Sequence, residues 1–267
     1  PTHGAGVPPD YFSETGQLWG NPVYRWDTMK KNGFRWWVRR IEHSLRCFDY
    51  LRIDHFRGLV AFWEVKSGEA TAVRGAWRRV PWRDFFNTLF KTRGSLPIIA
   101  EDLGLITPDV SRAVERLGFP GMKVLLFAFG DDNPRHPYLS HRYKPHCLVY
   151  TGTHDNNTAR GWFEQEADEA QKKRLSRYVG HGLEPDTVHR VLLRLASASV
   201  ANVAIFPLQD VLGLDASARM NVPSKSDNNW QWRFTDEALN EDVRHMLAEM
   251  TYTYGRAPSG HPNALLR

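Results

Sequence analysis

The 267-residue chain is 42% hydrophobic and 24% charged, and its 35 Lys and Arg against 30 Asp and Glu give a formal charge of +5. That apolar content supports a buried core and excludes a disordered or fibrous chain, while the basic residues are scattered over predicted helices (Arg39, Arg40, Lys172, Lys173, Arg174, Arg190, Arg194), which argues against nucleic-acid binding. No apolar run approaches the roughly 20 residues that span a bilayer, no leader pattern opens the chain, and the two cysteines form no CxxC pair, so a cytosolic protein without membrane contact is expected.

Residues 1–24 carry too much Gly and Pro for regular structure and predict a long irregular loop rich in aromatics. The loop already runs at Pro1, so the chain is expected to continue an upstream segment. From Arg25 to Arg46, Trp36, Trp37, Ile41 and Leu45 recur at helical spacing; Trp36 and Trp37 are expected in the core. This helix leads to a first strand, Tyr50 to Asp54. After an irregular stretch come a helix at about Trp82–Thr92 closed by Gly94, a strand at Leu96–Glu101, and a helix opened by Thr107-Pro108 and stopped at Gly118. Met122–Phe129 and Cys147–Asp155 predict further strands, followed by a charged helix at about Glu164–Tyr178. A helix over Pro185–Ser199 leads into the last strand, Val200–Phe206. Cys47 and Cys147 open apolar runs and read as buried thiols.

Five strands alternating with helices imply a parallel sheet. An eight-stranded barrel needs three more. The expected fold class is therefore α/β, a partial (β/α)8 TIM-type barrel with about five of eight strands present and the N-terminal ones lying upstream. Residues 1–267 would form the C-terminal part of one catalytic domain, with a substrate-binding loop at 1–24 and barrel elements over 25–267. No internal repeat or domain linker interrupts it.

Three of the strands stop at a carboxylate: Arg52-Ile53-Asp54, Ala100-Glu101-Asp102 and Thr153-His154-Asp155. A barrel gathers its strand ends at one mouth, and two carboxylates flanking a sugar can cleave a glycosidic bond, one as nucleophile and one as proton donor. Arg52 and Asp54, two apart on a strand, share a face, so the guanidinium would favour an ionised Asp54. The same two residues would equally form a structural ion pair. Glu101, as proton donor, needs burial or a nearby like charge to keep its proton, and either it or Asp102 could instead cap the following turn. His154-Asp155-Asn156-Asn157-Thr158 is dense enough in polar groups to grip sugar hydroxyls. His55 and His154 beside carboxylates raise a metal site, which the absence of any HxH, HExxH or Cys/His cluster disfavours. Tyr11, Phe12, Trp19, Tyr24 and Trp26 in and beside the opening loop offer planes on which sugar rings stack.

These three motifs resemble strand-end motifs of the α-amylase superfamily. The stretch Pro8-Pro9-Asp10-Tyr11-Phe12-Ser13-Glu14-Thr15-Gly16-Gln17-Leu18-Trp19-Gly20-Asn21-Pro22 is specifically similar to the 4-α-glucanotransferases (amylomaltases, or disproportionating enzymes), as are Val124–Gly130, Tyr150–Thr158, Pro207–Gly213 and Arg219–Pro223. The resemblance implies a retaining transglycosylase that needs no cofactor or metal and acts on α-1,4-glucans and maltooligosaccharides, with the N-terminal remainder of the same enzyme as its partner. It implies Asp54 as nucleophile, Glu101 as acid/base and Asp155 as transition-state stabiliser, with Arg52, His154, Tyr11, Phe12, Trp19, Asn21, His55 and Asn221 binding substrate. An α-glucan hydrolase or a non-catalytic glycan-binding fragment are the alternatives. The chain departs from the family pattern in lacking the superfamily's first strand motif and in carrying Asn157 where an acidic residue is expected.

Overall fold

The computed structural model describes residues 2–9, 13–104, 106–223 and 225–258. The chain divides into two units, residues 1–122 and 123–267.

In the first unit the opening segment is not a loop. His3–Val7 (β1) and Gln17–Pro22 (β2) are antiparallel strands, and with Ala61–Lys66 (β4) and Gly75–Arg79 (β5) they make a four-stranded sheet of order β2-β1-β4-β5. The glycines that read as loop residues serve the pairing. Gly6 lies against Leu18, where a Cβ would run into the Gln17 carbonyl; only glycine lets the backbones approach so closely. The irregular stretch expected after Asp54 holds the β4–β5 hairpin. In a separate two-stranded sheet Leu51–Ile53 (β3) pairs in parallel with Ile98–Ala100 (β6).

The helix expected over Arg25–Arg46 is two helices, Trp26–Lys31 and Arg35–Cys47. Gly33 (φ +66°) and Phe34 (φ +53°) are left-handed and break it. A left-handed non-glycine residue costs roughly 1–2 kcal/mol. Full burial of a phenylalanine returns about 1.5–3 kcal/mol, and Phe34 is 2% exposed, its ring 5.4 Å from that of Phe85. The break therefore places an aromatic in the core at little net cost. Trp26 lies there too, 7% exposed and stacked at 6.2 Å on half-buried Trp37, with its remaining surface on the cleft that Trp19 and Asp54 line. Trp36, expected inside, is 50% exposed. The first unit's core runs on through Phe56, Phe85, Phe86, Leu89 and Phe119, and the helices Trp82–Arg93 and Pro108–Leu117 cover it. Cys47, at the end of its helix, is exposed; Cys147 is buried as expected.

The second unit's sheet has order β7-β8-β9, from Gly121–Val124 (β7), Cys147–Tyr150 (β8) and Val203–Ile205 (β9), with β8 and β9 parallel. A strand forms in each of the five expected places, and those whose pairing is described run parallel, but they are shorter than expected: Leu125–Phe127, read as strand, is a 3-10 turn, and β8 ends at Tyr150, before the polar residues up to Asp155. The expected charged helix starts later, at Glu169–Val179, behind a capping box in which Asp168 accepts from the Gln171 backbone; Trp162–Glu166 before it is a π-helical turn. The helix Val188–Ala198 packs Leu193 against Val211 and Met250. Met250 belongs to Glu241–Thr253, a helix that the strand-end motifs do not anticipate. Among the described residues no helix is long and apolar enough to cross a membrane.

Candidate active site

β3 and β6 pair Leu51 with Ile98, Arg52 with Ile99 and Ile53 with Ala100. The next residue on each strand is a carboxylate. Parallel neighbours lie about 4.8 Å apart, so Asp54 and Glu101 leave adjacent strand ends side by side, and the Glu101 N–H donates to the Ile53 carbonyl at 3.0 Å. The two carboxylates have opposite surroundings. Asp54 is 75% exposed and accepts from Arg52 Nη2 at 2.5 Å, which is the same-face pairing that the spacing predicts. Glu101 is turned inward, accepting from the backbone N–H of His55 at 2.6 Å and of Leu103 at 2.8 Å. Burial pushes its carboxyl above the usual range and the Asp54 charge adds to this, more than the two N–H donors and Arg52 take back.

Asp102, the other candidate, faces elsewhere. It accepts from the Met122 backbone N–H at 2.7 Å, and it fills the space a side chain at Gly121 would need. Asp102 is thereby committed to the backbone beside it.

His55 is left-handed (φ +46°) and half-buried, and burial, helped by Arg57 and opposed by Asp54, lowers its imidazole to about 4. It is neutral at neutral pH. Trp19, on β2, sets its ring edge-on to His55 at 4.7 Å. Trp19, Asn21, Tyr24, Arg40, Asp54 and His55 line one cleft of about 520 Å³, which brings three of the predicted substrate-binding residues together with the predicted nucleophile. Tyr11 and Phe12 lie outside the described residues.

In the second unit the predicted stabiliser, Asp155, sits in a turn after β8 and is held from its far side. Its Oδ1 accepts from Asn221 Nδ2 at 2.6 Å, and its Oδ2 is 3.4 Å from His154 Nε2. Arg219 donates from Nη2 to the Asp155 carbonyl (2.8 Å), from Nε to the Asn221 carbonyl (2.9 Å) and from Nη1 to Glu166 (3.0 Å). One guanidinium therefore fixes the turn, its partner segment and the π-helical turn together. Asn157 donates to the same Glu166 oxygen at 3.0 Å; an acidic side chain there would bring two carboxylates into contact, so the amide suits this network. The His154 ring lies 5.3 Å from that of Trp230. Arg219, Glu166 and Trp230 were not selected by the strand-end pattern, although Arg219 stands two residues before Asn221. Among the described residues no group of three or more His, Cys, Asp or Glu could hold a metal ion.

A family model described as 4-alpha-glucanotransferase matches residues 2–239. The chain belongs to this family. It is 50% identical over 254 residues to a 4-alpha-glucanotransferase of Synechocystis sp., covering 94% of this chain and 50% of that protein. To the Thermus thermophilus 4-alpha-glucanotransferase it is 47% identical, covering 94% and 51%. An amylomaltase from Streptococcus agalactiae in complex with acarbose superposes with a TM-score of 0.91 at 41% identity, over 97% of this chain and 52% of that one. The chain spans about half the length of the curated relatives it matches.

Proposed function

We propose that the protein carrying this chain is a 4-α-glucanotransferase that moves α-1,4-glucan segments between maltooligosaccharides with retention of configuration. The observation that carries this is the contrast between two neighbouring carboxylates: Asp54, open and bridged to Arg52, and Glu101, half-buried with its carboxyl pushed above the usual range by desolvation. Their adjacent strand ends suit the roughly 5–5.5 Å between carboxyl groups that a retaining glycosidase uses, which is too close for an intervening water. In this reading Asp54 attacks the anomeric carbon while Glu101 protonates the departing sugar oxygen. A glucosyl ester on Asp54 results. Glu101, now a carboxylate, takes the proton of the incoming sugar hydroxyl, whose oxygen displaces Asp54. Asp155, its orientation set by Asn221 and Arg219, stabilises the positive charge that builds on the ring in each transition state. Arg52 and His154 support these carboxylates.

Tyr11, Phe12, Trp19, Asn21, His55 and Asn221 are the proposed glucan contacts. Transfer must beat hydrolysis, and an acceptor held in attack geometry gains an advantage over bulk water that orientation alone makes very large. The parallel strands are read as part of a (β/α)8 barrel in a single catalytic domain, completed by residues of the same enzyme beyond this chain; the superposition on about half of an amylomaltase supports that. A cytosolic location belongs to the same reading. Incubating the full-length protein with an activated glucosyl donor tests it: the label is expected on Asp54, and label on Asp102 or Asp155 would overturn the assignment.

A further inference from the structure

Asp210 is 1% exposed, in the short helix Leu208–Val211 just after β9. Its two oxygens reach in different directions. Oδ2 accepts from the Thr151 hydroxyl at 2.5 Å, and Oδ1 accepts from the Ala159 backbone N–H at 2.7 Å. Thr151 is the first residue after β8, and Ala159 opens the helix that follows the polar turn. The two donors therefore bracket residues 152–158, the segment that holds His154 and Asp155. Within that segment the turn shapes itself, with Asn156 Oδ1 accepting from Thr153 N (2.9 Å) and Thr153 Oγ (3.0 Å). Those local bonds fix the turn's form but not where it stands on the sheet. A buried carboxylate is costly to desolvate, and an apolar side chain here would leave both the hydroxyl and the helix-end N–H unsatisfied. Burial pushes the Asp210 carboxyl above the usual range, more than its two donors take back, and the group stands where it ties β9 to both ends of the turn.

We propose that Asp210 is a positioning residue for Asp155: by clasping both ends of the turn it fixes the placement of the stabilising carboxylate. This rests on the reading of Asp155 given above. A misplacement of about 1 Å can cost on the order of 10²-fold in rate, so in the full-length enzyme Asp210→Ala should lower kcat about 100-fold with KM little changed. Asp210→Asn should recover most of that loss, because its carbonyl can accept from Ala159 while its amide donates to the Thr151 hydroxyl.

The deciding measurement is a double-mutant cycle on kcat with an activated glucosyl donor. Because Asp210 acts through Asp155, adding Asp210→Ala to Asp155→Asn should change kcat less than threefold. Losses that multiply, with the double variant a further hundredfold down, would overturn the proposal and make Asp210 a support of the fold at large. If Asp210→Ala does not fold, Thr151→Val, which removes one of the two contacts, takes its place in the same cycle. Failure of the underlying reading looks different: the unsubstituted protein itself makes no transfer product, and the proposal falls with it.

Discussion

The two units hold their predicted catalytic carboxylates by different means. In the first, Asp54 and Glu101 are placed by backbone register, since both follow residues paired in one parallel ladder, and Arg52 adds an ion pair to Asp54. In the second, Asp155 rides on a turn outside the ladder and is placed by side chains: Asn221, Arg219 and His154, with Asp210 behind the turn. A ladder gives robust placement because many bonds share it; a side-chain network has few members, so each one counts. In the proposed mechanism both must hold their groups in fixed geometry, the ladder by backbone pairing and the network by a handful of side-chain bonds.

The largest effect should come from the proposed nucleophile. On the proposed function, Asp54→Asn in the full-length protein is expected to lower transfer by about 10⁴-fold or more, while glucan binding, read by calorimetry, persists. Loss of binding together with activity would mean that Asp54 shapes the cleft instead. The comparison itself is tested by Arg219→Ala against Arg52→Gln. Removing Arg219 frees three contacts in the network and should cost about 100-fold in kcat, whereas Asp54 stays on its strand without Arg52 and should lose only about tenfold. The reverse order would show that the ladder does not place Asp54 unaided. Trp19→Ala should shift the balance between products, raising the ratio of free glucose to longer oligosaccharides several-fold; parallel loss of both products would assign Trp19 to substrate binding in general.

The smallest effect concerns pH. His55 has a folded-state value of about 4, below its unfolded value near 6.5, so between those values the unfolded chain binds more protons and stability falls as pH is lowered. Above about 6.5 the contribution to the slope vanishes. His55→Gln should flatten this part of the stability profile by on the order of 2 kcal/mol between pH 6.5 and 4, read from denaturation midpoints. An unchanged slope would place the titration elsewhere.

What the sequence reveals of this site follows the same division. Period-two spacing is local, so the Arg52–Asp54 pairing can be read from three adjacent residues. The choice between Glu101 and Asp102 cannot, because it is made by what each meets: the backbone at His55 for one, and Met122 and Gly121 for the other. Asp155 is legible as a polar residue after an apolar run, but its holders stand 66 residues away at Asn221 and 64 at Arg219, and no periodicity connects them. The opening strands are hidden for another reason. Glycine signals a loop by its freedom and a close strand contact by its missing side chain, and one sequence cannot separate the two at Gly6. The helix Glu241–Thr253 is different again. Asn240 caps it, and Val243, Met246, Leu247 and Met250 recur at helical spacing, a signal that a search for strand ends passes over.

The pairing pattern also sets an order of events in time. The ladders β3–β6 and β8–β9 and the β1–β4 contact each join segments roughly 50–60 residues apart, and such closures are slow to find because the chain must lose its freedom before any bond rewards it. Two hairpins join neighbours instead: β1–β2, with Val7 against Gln17, and β4–β5, with Val65 against Gly75 and Trp63 against Trp77. During synthesis both can form before β6 has been made. The β1–β4 contact can then join two ready-made hairpins, and the two carboxylates proposed as catalytic would be brought side by side only after that, when Glu101 leaves the ribosome.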